Sequence, residues 1–302
     1  MKNINNPIYH ELKKLKLILD KNLIKINNKT RDKKISVIKD KKTKIIFLEK
    51  HITDGNYYNL VKYSKVIKKD TNLEVFIKSS NKTIKSYKLE DDIRRAKLFS
   101  TFCKNKEVLD FGCGWGGFLS NIKKAKSYSA VELRKECINY IKKNKKKINI
   151  SDDINLLKNK FDLITMFHVL EHIPYQIKTL KLLHSKLRKN GKIIIEVPHA
   201  EDFLILQDEL KEFKNFTFWS EHLILHTIQS LKKVLTKSGF KKIKINYFQR
   251  YNFSNHLGWF ISRKPGGHNF YKKFNNKKLN SSYVKNLIRL GQTDTLIAVA
   301  EK

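Results

Sequence analysis

Little in this chain of 302 residues fits a cross-linked, fibrous or membrane-spanning protein. Three cysteines (Cys103, Cys113, Cys137) are too few for a disulfide scaffold and fit a reduced, cytoplasmic protein. Four prolines and eleven glycines exclude a collagen-like or low-complexity chain. No apolar run reaches the ~18–20 residues of a membrane span, and the residues after Met1 lack the apolar core of a secretory leader. Arginine is scarce too, at eight of the 64 basic residues. What the chain does have is apolar bulk, 40% hydrophobic and 11% aromatic, which supports a buried core. Its length suits two domains, or one catalytic domain with an extension.

The formal net charge is +36, with 28 acidic residues against the 64 basic ones. A field of that size draws polyanions, so a nucleic-acid partner has to be weighed. The composition favours a plainer cause. Lysine rises together with asparagine and isoleucine, as A/T-rich coding produces, while arginine, the residue suited to bidentate phosphate and guanine contacts, stays low. The lysines are also spread along the whole chain. A small-molecule acceptor is therefore preferred to nucleic acid as the partner, and the oligomeric state is not readable.

Residues 1–86 read as a smaller α+β extension, an accessory domain suited to a lid or to acceptor binding. Leu12, Leu15, Ile18, Leu19 and Leu23 predict a short helix. Hairpins are predicted over 35–48 and 73–87, with the aromatic stretch 54–59 between them. From 87 onward strands and helices alternate, with strands predicted at 107–111, 127–132, 148–150, 161–167, 192–197, 241–247 and 295–300. Helices are predicted at 91–102, from the glycine turn to 122, and at 133–144 and 228–238. Buried β-branched strands alternating with amphipathic helices predict an α/β fold, a doubly wound, seven-stranded, mostly parallel sheet. An insertion spans about 248–290.

Asp110-Phe111-Gly112-Cys113-Gly114-Trp115-Gly116-Gly117 sits between a strand and a helix, at the sheet edge where ligands bind. Gly112, Gly114 and Gly117 satisfy G-x-G-x-x-G, and Glu132 ends the next strand, where a carboxylate can accept from both hydroxyls of a ribose. A nucleoside cofactor follows, with NAD as one reading. Asp110 argues against NAD, because a carboxylate two residues before the first glycine repels a pyrophosphate but suits an α-ammonium group. Adenosine ribose, an ammonium and no phosphate together describe S-adenosylmethionine.

Over roughly 88–302 these motifs resemble the class I S-adenosylmethionine-dependent methyltransferases, a Rossmann-like family. The first motif is Val108 to Gly116 and the second Val131-Glu132. The fourth-strand motif is Phe161-Asp162-Leu163-Ile164 followed by His168-Val169-Leu170-Glu171-His172-Ile173-Pro174. Leu187-Arg188-Lys189-Asn190-Gly191 leading to Glu196-Val197-Pro198-His199 matches the fifth. The resemblance implies that Asp110, Gly112 and Gly114 cradle the methionine part and Glu132 the ribose, with Phe111, Cys113 and Leu133 in the same surroundings. It places Ser151-Asp152 near the adenine, with Asp153 equally placed, and Phe167-His168 beside the sulfonium.

His168, Glu171 and His172, at i, i+3 and i+4, are expected on one helical face, with His199, His222 and His226 at the same sheet edge. These imidazoles could serve structure, act as a general base (His168 or His222 first, then His172), or bind a divalent metal, the least favoured option. No residue is assigned as a metal ligand. In the insertion, Tyr251, Trp259 and Phe260 are expected as an aromatic wall or a plug, with Asn255, His256 and His268 as polar contacts. The resulting expectation is O-methylation of a small molecule, a sugar or nucleotide-sugar of cell-surface glycan or secondary metabolism. RNA methylation and non-catalytic cofactor binding are the alternatives.

Overall fold

Asn6 begins the fold by capping the helix Pro7–Lys14, its side chain accepting from Ile8 N. In this computed structural model, which describes residues 4–52, 63–68, 74–79 and 84–302, that helix stops before the expected Leu23. Leu15 is its C-cap, Lys16 takes φ +57°, and Leu23 instead opens a strand. Strands β1 (Leu23–Asn27), β2 (Val37–Asp40) and β3 (Ile46–Leu48) form an antiparallel meander, whose second half is the expected hairpin. Strands β4 (Tyr63–Lys68), β5 (Glu74–Ser79) and β6 (Ile84–Lys88) make a separate antiparallel sheet, with Glu74 opposite Lys88 in the second expected hairpin. The aromatic stretch 54–59 lies outside the described residues.

The seven expected strands are all present. They are β7 (Glu107–Phe111), β8 (Ser127–Val131), β9 (Ile148–Ser151), β10 (Phe161–Phe167) and β11 (Leu187–Pro198). A two-residue strand, β12 (Ile224–Leu225), precedes the last two, β13 (Lys241–Phe248) and β14 (Thr295–Glu301). The large sheet runs β13-β14-β11-β10-β7-β8-β9, and β7 pairs in parallel with both β8 and β10. Val108, Leu109, Leu163 and Ile164 are buried, as a sheet covered by helices on both faces requires. Strand order reverses between β7 and β10, and α/β sheets bind ligands beyond the carboxyl ends of the strands at such a point.

By compactness the described chain falls into two units, each assembled from several stretches of sequence. One unit comprises Met1–Ile52, His168–Lys181 and Ile195–Ala300, and the other Thr53–Phe167, Leu182–Ile194 and Glu301–Lys302. Within the first unit β12 pairs antiparallel with β3, placing Ile224 opposite Phe47 and making one four-stranded sheet from two distant parts of the sequence. The insertion holds helices Phe253–Ser262, Gly267–Phe270 and Lys277–Leu290. Its first two helices touch at Gly258 and Gly267, where an added Cβ on either would strike backbone of the other.

Candidate functional site

In the unit that holds β7 to β10, the site starts at Asp110, buried near the carboxyl end of β7 at 3% exposure. Parallel pairing sets Thr165 of β10 directly opposite, and the Thr165 hydroxyl donates to Asp110 Oδ1 at 2.7 Å. Burial pushes the Asp110 carboxyl up to about 7. The Thr165 bond and Arg95 oppose that rise, while the nearby Asp92 and Glu132 carboxylates add to it. Past Phe111 the backbone turns through Gly112, Gly114 and Gly116, at φ of +79°, +55° and +70°. Only glycine takes that succession of left-handed residues without strain, and the turn is pinned back on β8 by Gly112 N donating to Val131 O. Gly117, the last glycine of the G-x-G-x-x-G spacing, packs against the Asp92 side chain, where an added Cβ would collide. The expected helix follows as Gly117–Asn121, with Ile122 as its C-cap.

Glu132, just past β8, is also buried. Its Oε2 accepts from Gly114 N at 2.8 Å, and its Oε1 from the backbone N of Leu133 and Arg134 at 3.0 Å each. The Arg134 side chain pairs with the same carboxylate, Nε to Oε1 at 3.2 Å. Two buried carboxylates thus stand at the ends of neighbouring strands with the glycine turn between them. Ser151 ends β9 beside Val131, and its hydroxyl accepts from Asp153 N. Asp153 caps the turn Ile154–Leu156 through Asn155 N, and Asp152 and Asp153 are both exposed. Phe167 is committed to packing, stacked on Phe99, edge-on to Phe118 and beneath the Arg95 guanidinium at 4.9 Å. Among the expected cofactor residues Leu133 is half exposed, whereas Cys113 is buried and its thiol pushed up by burial and by Asp110 and Glu132.

The other unit gathers the histidines, but not on a helical face. His168 takes φ +53°, and Leu170–His172 is a single 3₁₀ turn. His168 is held at both ring nitrogens, Nδ1 at 3.1 Å from Glu171 Oε1 and Nε2 at 3.3 Å from Glu196 Oε1, with an Arg250 nitrogen 3.2 Å from Nε2. Burial and Arg250 work to lower its pKa, but the two glutamates outweigh them and leave it raised. Burial likewise opposes the Glu171 charge, yet His168 and His172 hold that carboxyl down at about 2. His222 meets His172 edge-on, ring centroids 4.8 Å apart. His199 and His226 meet in an isolated parallel backbone bridge, both pushed down to about 4 by burial, with Nδ1 bonded to Thr293 O and Ser230 Oγ respectively.

Of the wall and the plug weighed for the insertion, Trp259 fits the plug. Trp259 is buried against Phe213 and Phe216, and Asn255 and His256 are buried as well, with His256 Nδ1 2.7 Å from the Tyr283 hydroxyl. Tyr251 alone of the expected wall residues is largely exposed, at 46%. Thr165, Arg134, Glu196 and Arg250, all partners of expected site residues, went unmarked in the sequence because strand register or turn geometry brings them in.

Asp110, the glycine turn and Glu132 fit the cofactor expected from the sequence: two carboxylates for an ammonium and a ribose, and a turn whose three left-handed φ values suit glycine. A family model described as a methyltransferase domain matches residues 83–245, more than half of the chain. The chain is 28% identical over 151 residues to a ribosomal RNA small subunit methyltransferase A of Mesomycoplasma hyopneumoniae, covering 47% of this chain and 56% of that protein. It is 32% identical over 100 residues to a ubiquinone biosynthesis O-methyltransferase of Coxiella burnetii, covering 30% of this chain and 42% of that protein. The chain thus spans about half the length of the curated relatives it matches. Among solved structures, an S-adenosylmethionine-dependent methyltransferase from Archaeoglobus fulgidus aligns with a TM-score of 0.45 at 21% identity, covering 71% of this chain and 93% of that one. With its ordered motifs, its seven-stranded sheet and the matching domain model, the chain belongs to the class I S-adenosylmethionine-dependent methyltransferase family, whose cofactor is S-adenosylmethionine.

Proposed function

We propose that this chain transfers the methyl group of S-adenosylmethionine to a hydroxyl oxygen of a small molecule, of the sugar or nucleotide-sugar kind. The observation that carries methyl transfer is the pair of buried carboxylates, Asp110 and Glu132, flanking the glycine turn. Asp110 is suited to the α-ammonium. Glu132 suits the ribose hydroxyls, since its Oε2 carries one short bond and keeps acceptor capacity. Ser151 and Asp152 are assigned to the adenine, Phe111, Cys113 and Leu133 to the cofactor's surroundings, and Phe167 fixes the end of β10. When bound, the cofactor supplies an electrophilic methyl on a sulfonium. The chain then has to orient it and exclude water, because an in-line displacement gains most of its rate from positioning.

Oxygen as the acceptor atom is supported by the relative named as an O-methyltransferase and by the histidines that follow β10. A hydroxyl must lose its proton on methylation. His168 has both nitrogens engaged, which suits holding the turn, so His172 and His222 are the residues assigned to the acceptor. With Trp259 buried, a sugar ring has only Tyr251 to rest on among the expected platform residues. RNA is the second reading, favoured by the +36 charge and by the relative named for ribosomal RNA.

Methyl-labelled cofactor incubated with a panel of sugars, nucleotide-sugars, phenols and bulk RNA, at two salt concentrations, tests the proposal. Label recovered as a methyl ether of a small molecule is expected. Label recovered in RNA would replace the acceptor, and cofactor uptake with no transfer to any acceptor would reduce the chain to a binding protein.

A further inference from the structure

Glu171, His172 and His222 form a group whose arrangement the cofactor site does not explain. The backbone accounts for their meeting. Leu223 N donates to Glu171 O at 2.8 Å, and the adjoining β12 is locked to β3, so residue 222 is delivered beside the turn that carries 171 and 172. One donor atom from each of the three residues lies within 4.8 Å of those of the other two. Glu171 is fully buried. Its Oε1 is taken by His168, and its Oε2 has no hydrogen-bond partner among the described residues. His172 Nδ1 is also buried without a hydrogen bond, 3.8 Å from Glu221 Oε2, while His172 Nε2 faces Glu171 Oε1 at 4.0 Å. Native folds ordinarily give a buried carboxylate oxygen a partner, because leaving it bare in a low-dielectric interior is costly.

We propose that Glu171, His172 and His222 bind one divalent transition-metal ion, of the zinc, cobalt or manganese kind. Two imidazoles and a carboxylate are a borderline donor set that suits these ions, whereas magnesium and calcium take oxygen ligands. Bonds of about 2.0–2.2 Å place ligand atoms roughly 3.3 Å apart, so closing the site takes about an ångström, within reach of side-chain rotation. Glu221 Oε2, 3.8 Å from His172 Nδ1, is the carboxylate placed to take up that second nitrogen as the ring turns to ligate through Nε2. Arg31, seated between the Phe216 and Trp219 rings and acting on His222, is the neighbouring cation that works against the ion. Three protein ligands leave a position for water or a substrate oxygen, which the ion would acidify. The site stands whether or not the proposed methyl transfer holds.

Its test uses the full chain, stripped of metal with a chelator and titrated calorimetrically with zinc and, separately, magnesium. One zinc per chain is expected, with magnesium taken up far more weakly. Glu171→Gln and His222→Gln should each weaken zinc binding about tenfold or more, while His10→Gln, at an exposed histidine, should leave it unchanged. X-ray absorption of the zinc-loaded wild-type chain should show two imidazoles around the metal, a readout that survives if a variant fails to fold. Sub-stoichiometric uptake, equal affinity for magnesium, unchanged binding in a folded His222→Gln chain, or a metal shell without two imidazoles would overturn the proposal. None of these readouts involves S-adenosylmethionine.

Discussion

Asp110 shows how much a single residue can carry. Its place two residues before Gly112 was legible in the sequence, because a carboxylate at that point excludes a pyrophosphate. Its charge state was not legible, since it depends on Thr165 and on burial that only the β7–β10 register creates. With the carboxyl at about 7, the ionised form that attracts an ammonium is scarce in acid and dominant above neutrality. S-adenosylmethionine should therefore bind about tenfold more tightly at pH 7 than at pH 5.5, read by calorimetry. A flat profile across that window would separate Asp110 from the cofactor. Glu132 gives the companion test. Glu132→Ala should cost cofactor affinity about 1–3 kcal/mol, as hydroxyl donors and the Gly114 and Arg134 amides lose their acceptor. Unchanged affinity in that variant would move the ribose elsewhere.

At the scale of the element, what could be read from the sequence is what depends on neighbours along the chain. The seven strands and the glycine turn follow from buried β-branched runs and left-handed backbone. The 168–172 segment misled, because an i, i+3, i+4 spacing predicts a helix face, whereas His168 at φ +53° breaks the helix and the ion pairs to Glu171 and Glu196 stabilise the break. The insertion helices and the pairing of β12 with β3 are long-range products with no local period to announce them. That pairing makes a sharp prediction. Phe47 is fully buried at the centre of β3, opposite Ile38 on one side and Ile224 on the other. Phe47→Ala should cost about 3–5 kcal/mol of stability in denaturant unfolding, the range for emptying a large aromatic site. A loss below 1 kcal/mol would mean the four-stranded sheet contributes little to the fold.

For the molecule as a whole, charge sets solubility and partners, while the buried titratable groups set the response to pH. His199, His226 and His256 are each pushed down to about 4 by burial, so between pH 4 and 6.5 the unfolded chain holds protons that the folded chain does not. Stability therefore rises with pH across that interval. Asp110, raised to about 7, and Asp202, raised to about 8 by burial and by Asp294, act in the opposite sense. Folded, they keep protons that the unfolded chain has already released, so they subtract stability as pH climbs from about 4 toward their own values. With His222, lowered to about 3 by burial, these histidines outweigh the two carboxylates below pH 6.5, and above it the carboxylates act together with His168, whose raised pKa keeps a proton on the folded chain. The denaturation midpoint of the cofactor-free chain should accordingly peak near pH 6.5 and fall toward both pH 5 and pH 8. If it climbed steadily to pH 8 instead, Asp110 and Asp202 would have to be ionised throughout, and the ammonium-binding role of Asp110 would lose its pH dependence with them.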